Sequence, residues 1–176
     1  MEIVVTDISK VAYNVKYNNI THVLTLLRGR EHNELLMPSD FPRQNWLSMD
    51  MDDVINDDAE FAPTRDQVKT ILEWGKNLPD NSKILVHCYA GVSRSTAAAL
   101  ALKIQHIGND NISEAINWIL EHRPQACPNP IITKYADEFL NCGGDFHEAA
   151  EQVATKRLLR IYGGVDNRAH QRNEHE

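Results

Sequence analysis

The 176-residue sequence predicts an α/β fold, a central mostly parallel sheet of four to five strands flanked by helices. Three observations carry that reading. Short apolar runs rich in β-branched residues recur at Ile3-Val4-Val5, Ile20 to Leu27 and Ile84-Leu85-Val86. A helical pattern lies before the last of them, and a strand, helix, strand succession calls for parallel crossover connections. Finally, His87-Cys88-Tyr89-Ala90-Gly91-Val92-Ser93-Arg94-Ser95 leads straight from a buried strand into the alanine-rich helix former Thr96 to Leu102. In sheets connected this way ligands sit beyond the carboxyl ends of the strands, which makes that loop the candidate site.

Taken in order, Ile3-Val4-Val5 and Val11 to Val15 read as short strands, with Asn18-Asn19 as a turn. Ile20 to Leu27 is a core strand, and Arg28 to Asp40, polar and carrying Pro38, is a surface loop. Leu47, Met49 and Met51 alternate with Ser48, Asp50 and Asp52, a period-two strand that runs into an acidic cluster and keeps Asp53 in phase with the inward residues. Pro63-Thr64 opens a helix, in which Thr64 and Gln67 make a capping box and Val68, Ile71, Leu72 and Gly75 share a face. Leu78 to Lys83 turns into the strand before Cys88. Beyond the alanine-rich helix and a Gly108 to Asn111 loop, Ser113 to His122 is amphipathic with Ala115, Ile116, Ile119 and Leu120 inward, and Arg123-Pro124 stops it. Cys127-Pro128-Asn129-Pro130 is a rigid turn, and Ile131 to Asn141 a helix. After Gly143-Gly144 an additional C-terminal helix is expected up to Tyr162, with Asp145 and Glu148 as its capping pair, and then a flexible tail. The organisation is one main domain over residues 1–142, an added helix over 143–162 and a tail over 163–176.

Composition narrows the function classes. Hydrophobic residues at 42% and charged residues at 24% are ordinary for a globular domain. A formal net charge of −7 argues against a nucleic-acid or anionic-membrane surface. No apolar run reaches a membrane span, and the start lacks a basic-then-apolar signal pattern. Cys88, Cys127 and Cys142 make no disulfide framework, and the histidines show no zinc spacing. The expectation is a cytoplasmic protein in a reducing setting, without metal or other cofactor.

Cys88 and Arg94 bracket five residues of a tight strand-to-helix loop. Backbone N–H groups of such a loop, together with the helix N-terminus, form a cradle for a tetrahedral oxyanion. Arg94 can grip two oxygens with its planar fork, and the same field favours the thiolate form of Cys88. Anion site and nucleophile thus share one stretch.

His-Cys, five residues, then Arg-Ser resembles the signature of the cysteine-dependent protein tyrosine phosphatases. The inner text, Ala90 to Ser95, is most similar to the dual-specificity branch. Leu47, Met49, Met51 and Asp53 at alternate positions resemble the family strand that delivers a general acid, here 35 residues before Cys88. Arg123-Pro124, Ala126 and Pro128-Asn129 followed by a helix resemble its closing part, so the likeness covers residues 1–142. The look-alikes are small prokaryotic or phage members.

The resemblance implies a phosphatase-type sheet and hydrolysis of phosphate monoesters through a phosphocysteine. Cys88 would attack, the amides of Tyr89, Ala90, Gly91, Val92, Ser93 and Arg94 with the Arg94 guanidinium would hold the phosphate, Ser95 would stabilise the departing thiolate and His87 would order the loop. Asp53 would serve as acid and then base, with Asp50, Asp52, Asp57 and Asp58 as competitors. The loop interior carries no lysine, unlike relatives acting on polyphosphorylated inositol lipids, and the chain is short for a deep tyrosine-specific pocket. Phosphorylated proteins, at tyrosine and at serine/threonine, or small phosphoesters are the expected partners, without nucleic acid or membrane. Competing readings are a phospho-partner binding pseudophosphatase, a phosphatase of inositol phosphates or RNA 5′-triphosphates, and a rhodanese-like sulfurtransferase, the last disfavoured by the Cys–Arg spacing.

Overall fold

The computed structural model describes residues 1–29 and 37–170, with side chains as far as Ile161. Strands β1 (Glu2–Thr6), β2 (His22–Leu26), β3 (Trp46–Met49) and β4 (Lys83–His87) form one sheet in the order β1-β4-β2-β3, every pair parallel. Among the described residues the α-helices are α1 (Val11–Tyr17), α2 (Arg65–Lys76), α3 (Arg94–Ile107), α4 (Ile112–His122), α5 (Pro130–Leu140) and α6 (Asp145–His170). Strand β4 lies between β1 and β2, with Thr6 and Thr25 opposite His87. The loop that follows it therefore leaves the middle of the sheet, at its carboxyl edge.

Alternation along the strands divides the core in two. Ile3, Val5, Leu24, Leu26, Ile84 and Val86 face a large core shared with α2 to α6, whereas Val23 and Leu85 join Val11, Ile20 and Met37 on the opposite face. Helix α3 runs through the large core. Its residues from Arg94 to Leu102 are all buried, because Ala97, Ala98, Ala99 and Ala101 let the sheet and the neighbouring helices approach from every side. The α2 capping box is present as expected, with Thr64 and Gln67 bonding each other's backbone N–H. Gly75 allows α2 to meet α3, since a Cβ there would stand 2.3 Å from Leu102 Cδ2.

Five expectations are corrected. Val11 to Val15 is helical and not the expected strand: Val11 and Asn14 face inward, Asn14 Nδ2 donates to the Lys10 carbonyl, and Tyr13 is 62% exposed. In the segment expected as a surface loop from Arg28 to Asp40, residues 30–36 lie outside the described residues, and Met37 is buried in the smaller core. On α4, Ala115 and Ile119 are buried but Leu120 is 39% exposed. Helix α6 continues through Gly163-Gly164 to His170, beyond the expected end at Tyr162, and residues 171–176 lie outside the described residues. The first turn of α6 is capped from α5 and not by the expected pair Asp145 and Glu148, because the buried Asp137 carboxylate accepts from the N–H groups of Gly144 (2.8 Å), Phe146 (3.0 Å) and His147 (3.1 Å).

Candidate active site

The end of β4 sorts two neighbouring side chains to opposite faces. Cys88 continues the phase of Ile84 and Val86 into the large core, where it is 1% exposed. His87 follows Leu85 to the other face. It is fully buried, and its Nε2 shares a 2.7 Å hydrogen bond with Thr25 Oγ1, which also accepts from Trp46 Nε1 at 2.9 Å. This relay crosses β4, β2 and β3. Burial pushes the His87 pKa down to about 4, against a smaller upward pull from the Cys88 backbone, so the ring is neutral at pH 7.

The loop from Tyr89 to Ser93 is held by its carbonyls. Tyr89 O accepts from Ile8 N (3.1 Å), Val92 O from Cys127 N (2.9 Å), and Ser93 O from Ala97 N (3.0 Å) and Asn129 N (3.4 Å). Gly91 O accepts from Arg123 Nε at 3.1 Å and Nη2 at 2.9 Å. With these carbonyls turned outward, no N–H of Tyr89 to Arg94 meets a protein acceptor among the described residues. Ser93, the N-cap of α3, makes no side-chain cap bond, which leaves the first amides of the helix open as well. Gly91 has φ +67°, and a Cβ there would lie 2.6 Å from the Thr6 carbonyl carbon and 2.7 Å from Asp7 N. The turn and the close approach both require glycine.

Around these amides the fold gathers Cys88, Ser95, Arg94 and Asp53. Cys88 Sγ and Ser95 Oγ share a 3.2 Å hydrogen bond. Arg94 is buried; its Nη1 donates to the Met51 carbonyl at 2.7 Å, and its Nε has no hydrogen-bond partner. Asp53 Oδ2 lies 4.0 Å from that Nε, while Asp53 Oδ1 accepts from Ser93 Oγ (2.6 Å) and Asn129 Nδ2 (3.1 Å). The other acidic residues of the stretch turn elsewhere. Asp50 accepts from Gly29 N at 3.0 Å, Asp52 pairs with Arg28 at 3.1 Å and Asp57 with Lys134 at 3.6 Å, while Asp58 stands exposed on a turn. Tyr89 is exposed at the rim. A sulfur, open amides, a cation and a carboxyl gathered around one loop can hold a tetrahedral oxyanion against a nucleophile with a proton carrier at its side.

Two residues of this site were missed by sequence reasoning. Arg123 clamps Gly91, and Asn129 ties α5 to the acidic stretch: its Oδ1 accepts from the N–H groups of Ile131 and Ile132, and its Nδ2 donates to Asp53 and to the Val54 carbonyl. The available signal was Arg123-Pro124 and Pro128-Asn129, which resemble the family's closing part but as local text give helix stop and turn and no partner.

Comparison with known proteins was made on this geometry. The family model "Dual specificity phosphatase, catalytic domain" matches residues 5–136, a span that contains the loop, Asp53, Arg123 and Asn129. The MAP kinase phosphatase with leucine-rich repeats protein 2 of Dictyostelium discoideum is 30% identical over 115 residues, covering 65% of this chain and 15% of that protein. Tyrosine-protein phosphatase YVH1 of Saccharomyces cerevisiae is 27% identical over 158 residues, covering 81% of this chain and 43% of that protein. The chain spans less than half the length of these curated relatives. The crystal structure of the human tyrosine phosphatase-like serine/threonine/tyrosine-interacting protein shares the fold with a TM-score of 0.58 at 20% identity, over 78% of this chain and 89% of that one. No helix among the described residues is long and apolar enough to cross a membrane. With the family match running from β1 into α5, well over half its length, the chain belongs to the dual specificity phosphatase catalytic-domain family.

Proposed function

We propose that the chain is a cysteine-dependent phosphatase that removes phosphate from tyrosine and serine/threonine side chains of proteins through a phosphocysteine intermediate. The observation that carries this reading is the set of unpartnered donors, the amides of Tyr89 to Arg94 and Arg94 Nε, converging beside the Cys88 sulfur. Arg94 Nε is buried without a hydrogen-bond acceptor, and such a donor is costly unless a ligand completes it. Family membership and the activities in the names of the relatives support the same reading.

Phosphate monoesters hydrolyse among the slowest of reactions uncatalysed, so the site must supply both a nucleophile and a field for dispersed negative charge. In the first step the Cys88 thiolate attacks phosphorus in line; a P–S bond forms, the P–O bond to the leaving oxygen breaks, and protonated Asp53 gives that oxygen its proton. Water then attacks phosphorus, Asp53 takes the water proton, and the S–P bond breaks to return thiolate and free phosphate. The 3.2 Å contact with Ser95 Oγ supports a role for that hydroxyl in stabilising the departing sulfur. Asp53 is preferred over Asp50 and Asp52 because its partners, Ser93 and Asn129, belong to the loop and its flank, whereas theirs are Gly29 and Arg28. His87, neutral and bonded to Thr25, acts as a positioning residue. The uncharged interior from Tyr89 to Ser93 supports phosphoproteins over polyphosphorylated inositol lipids. A thiolate nucleophile requires reducing surroundings, which supports the cytoplasm.

Phosphate release without added metal tests this. The substrates are an aryl phosphate, phosphotyrosine and phosphoserine peptides, inositol phosphates and triphosphate-ended RNA. The aryl phosphate and the phosphopeptides are expected to turn over. Cys88→Ser is expected to abolish turnover, and Arg94→Lys to lower it by roughly a hundred-fold or more, since a point charge cannot replace the fork. Turnover retained by Cys88→Ser refutes the proposed nucleophile.

A further inference from the structure

A groove between α4 and α6 borders the catalytic loop without belonging to it. It encloses about 310 Å³ over an apolar floor that includes Ile116, Leu120, Ala126 and Val153. Its α6 wall carries Lys156, Arg157 and Arg160, which with Val153 follow the i, i+3, i+4, i+7 stripe of one helix face. No acidic residue lines the groove, in a chain with 25 acidic and 18 basic residues. None of the three cations enters an ion pair among the described residues, and Arg157 Nη1 is buried without a hydrogen-bond partner. A buried, unpaired guanidinium nitrogen in a cleft is a donor set waiting for an anion.

The groove also adjoins the loop. Ala126 lines it, and the next residue, Cys127, donates its N–H to Val92 O at 2.9 Å. The Cys127 thiol feels both neighbours: Arg157 draws its pKa down and Asp53 pushes it up, within an overall rise due to burial.

We propose that this groove is a second substrate subsite, which takes an anionic side chain, carboxylate or phosphate, of the same phosphoprotein chain whose phosphoresidue enters the Cys88 loop. The apolar floor covers an aliphatic neighbour of that anion. The inference rests on the phosphatase reading and adds the sequence context the enzyme selects. A peptide is the occupant the geometry favours, because Arg157 Nη1 is buried inside a cleft between two helices that adjoins the loop, where an extended side chain can reach it. An acidic chain with three clustered cations is also a poor match for nucleic acid.

The test uses the full chain and three phosphotyrosine peptides identical except beside the phosphoresidue, where they are neutral, acidic or phosphorylated a second time. Wild-type kcat/KM is expected to favour the two anionic peptides by about ten-fold, mainly through KM, and the preference is expected to shrink with added salt. Joint Lys156→Glu, Arg157→Glu and Arg160→Glu substitution is expected to invert the preference. Joint substitution of the same residues by glutamine is expected only to erase it, and guards against a charge-reversed variant that fails to fold. Equal kcat/KM on all three peptides overturns the subsite while leaving the phosphatase reading intact. Lack of turnover on every peptide and on an aryl phosphate overturns both. Binding to phosphatidylserine vesicles that depends on the three cations, without any peptide preference, reassigns them to a membrane and overturns the proposal as well.

Discussion

Asn129→Ala tests how the acidic residue is held in the site. Asn129 is fully buried, and each end of its amide has two partners: Oδ1 accepts from Ile131 N (3.1 Å) and Ile132 N (3.3 Å), and Nδ2 donates to Asp53 Oδ1 (3.1 Å) and Val54 O (2.9 Å). Losing the helix cap costs about 1 kcal/mol. Leaving the Val54 carbonyl without its donor adds about 1 to 2 kcal/mol. At roughly 2–4 °C per kcal/mol for a chain of this size, the melting temperature is expected to fall by roughly 5–10 °C. The kinetic signature is separate. Asp53 keeps Ser93 but loses its second anchor, so proton delivery suffers where the leaving group needs it. Alkyl phosphates are expected to slow by about ten-fold more than nitrophenyl phosphate, within the scale of general-acid catalysis. Asn129→Ser separates the two effects, since serine can still cap α5 but is too short to reach Asp53. It is expected to recover the share of the melting temperature due to the cap, roughly 2–4 °C, and none of the leaving-group effect. Calorimetry and a leaving-group series measure both. An alanine variant that melts within a degree of wild type, or slows all esters equally, refutes the dual role.

Three further outcomes are expected. The His87 pKa of about 4 lies below its unfolded value of 6.5, so the unfolded chain binds the extra proton between those values, and stability falls as pH drops from 6.5 towards 4, by about 3 kcal/mol in total. Urea melts of His87→Gln should show a flatter pH dependence than wild type in that window, and parallel curves would contradict the assignment. Phe146→Ala, at a fully buried position of α6 packed with Ala150 and Val153, should cost about 3–5 kcal/mol in a urea melt; a wild-type midpoint would mean that α6 does not dock on the domain. Gly91→Ala forces a Cβ against the Thr6 and Asp7 backbone, and should lower activity on every ester while binding of inorganic phosphate weakens in parallel. Intact phosphate affinity would count against the loop as the anion cradle.

What could be read from the sequence was local, and what could not was spread along the chain. Strand β4, the loop and helix α3 are contiguous, so their setting was legible from one stretch of text. The phase of Leu47, Met49 and Met51 also pointed to Asp53, although the β-ladder ends at Met49. By contrast, the partners of Arg123 and Asn129 are a carbonyl 32 residues away and a carboxylate 76 residues away, and no local pattern announces them. Helix α1 was misread because Val11, Tyr13 and Val15 alternate, while only the fold reveals that Tyr13 faces water and stacks on Tyr17 at 5.0 Å. The cap of α6 was misassigned for the same reason: Asp145 and Glu148 have the right spacing, but Asp137 from the preceding helix accepts from Gly144, Phe146 and His147, while the amides of Asp145 and Glu148 go to the Cys142 and Gly144 carbonyls.

The outward carbonyls of the loop are fastened by residue 8 near the start of the chain and by residues 123, 127 and 129 beyond α4. A synthetic nonapeptide copied from His87 to Ser95 would therefore have the right letters and no receptor for phosphate. The same holds for any graft that transfers the motif alone onto another scaffold. On the proposed reading phosphate recognition belongs to the assembled domain, and it should vanish and return with global unfolding and refolding as a single event.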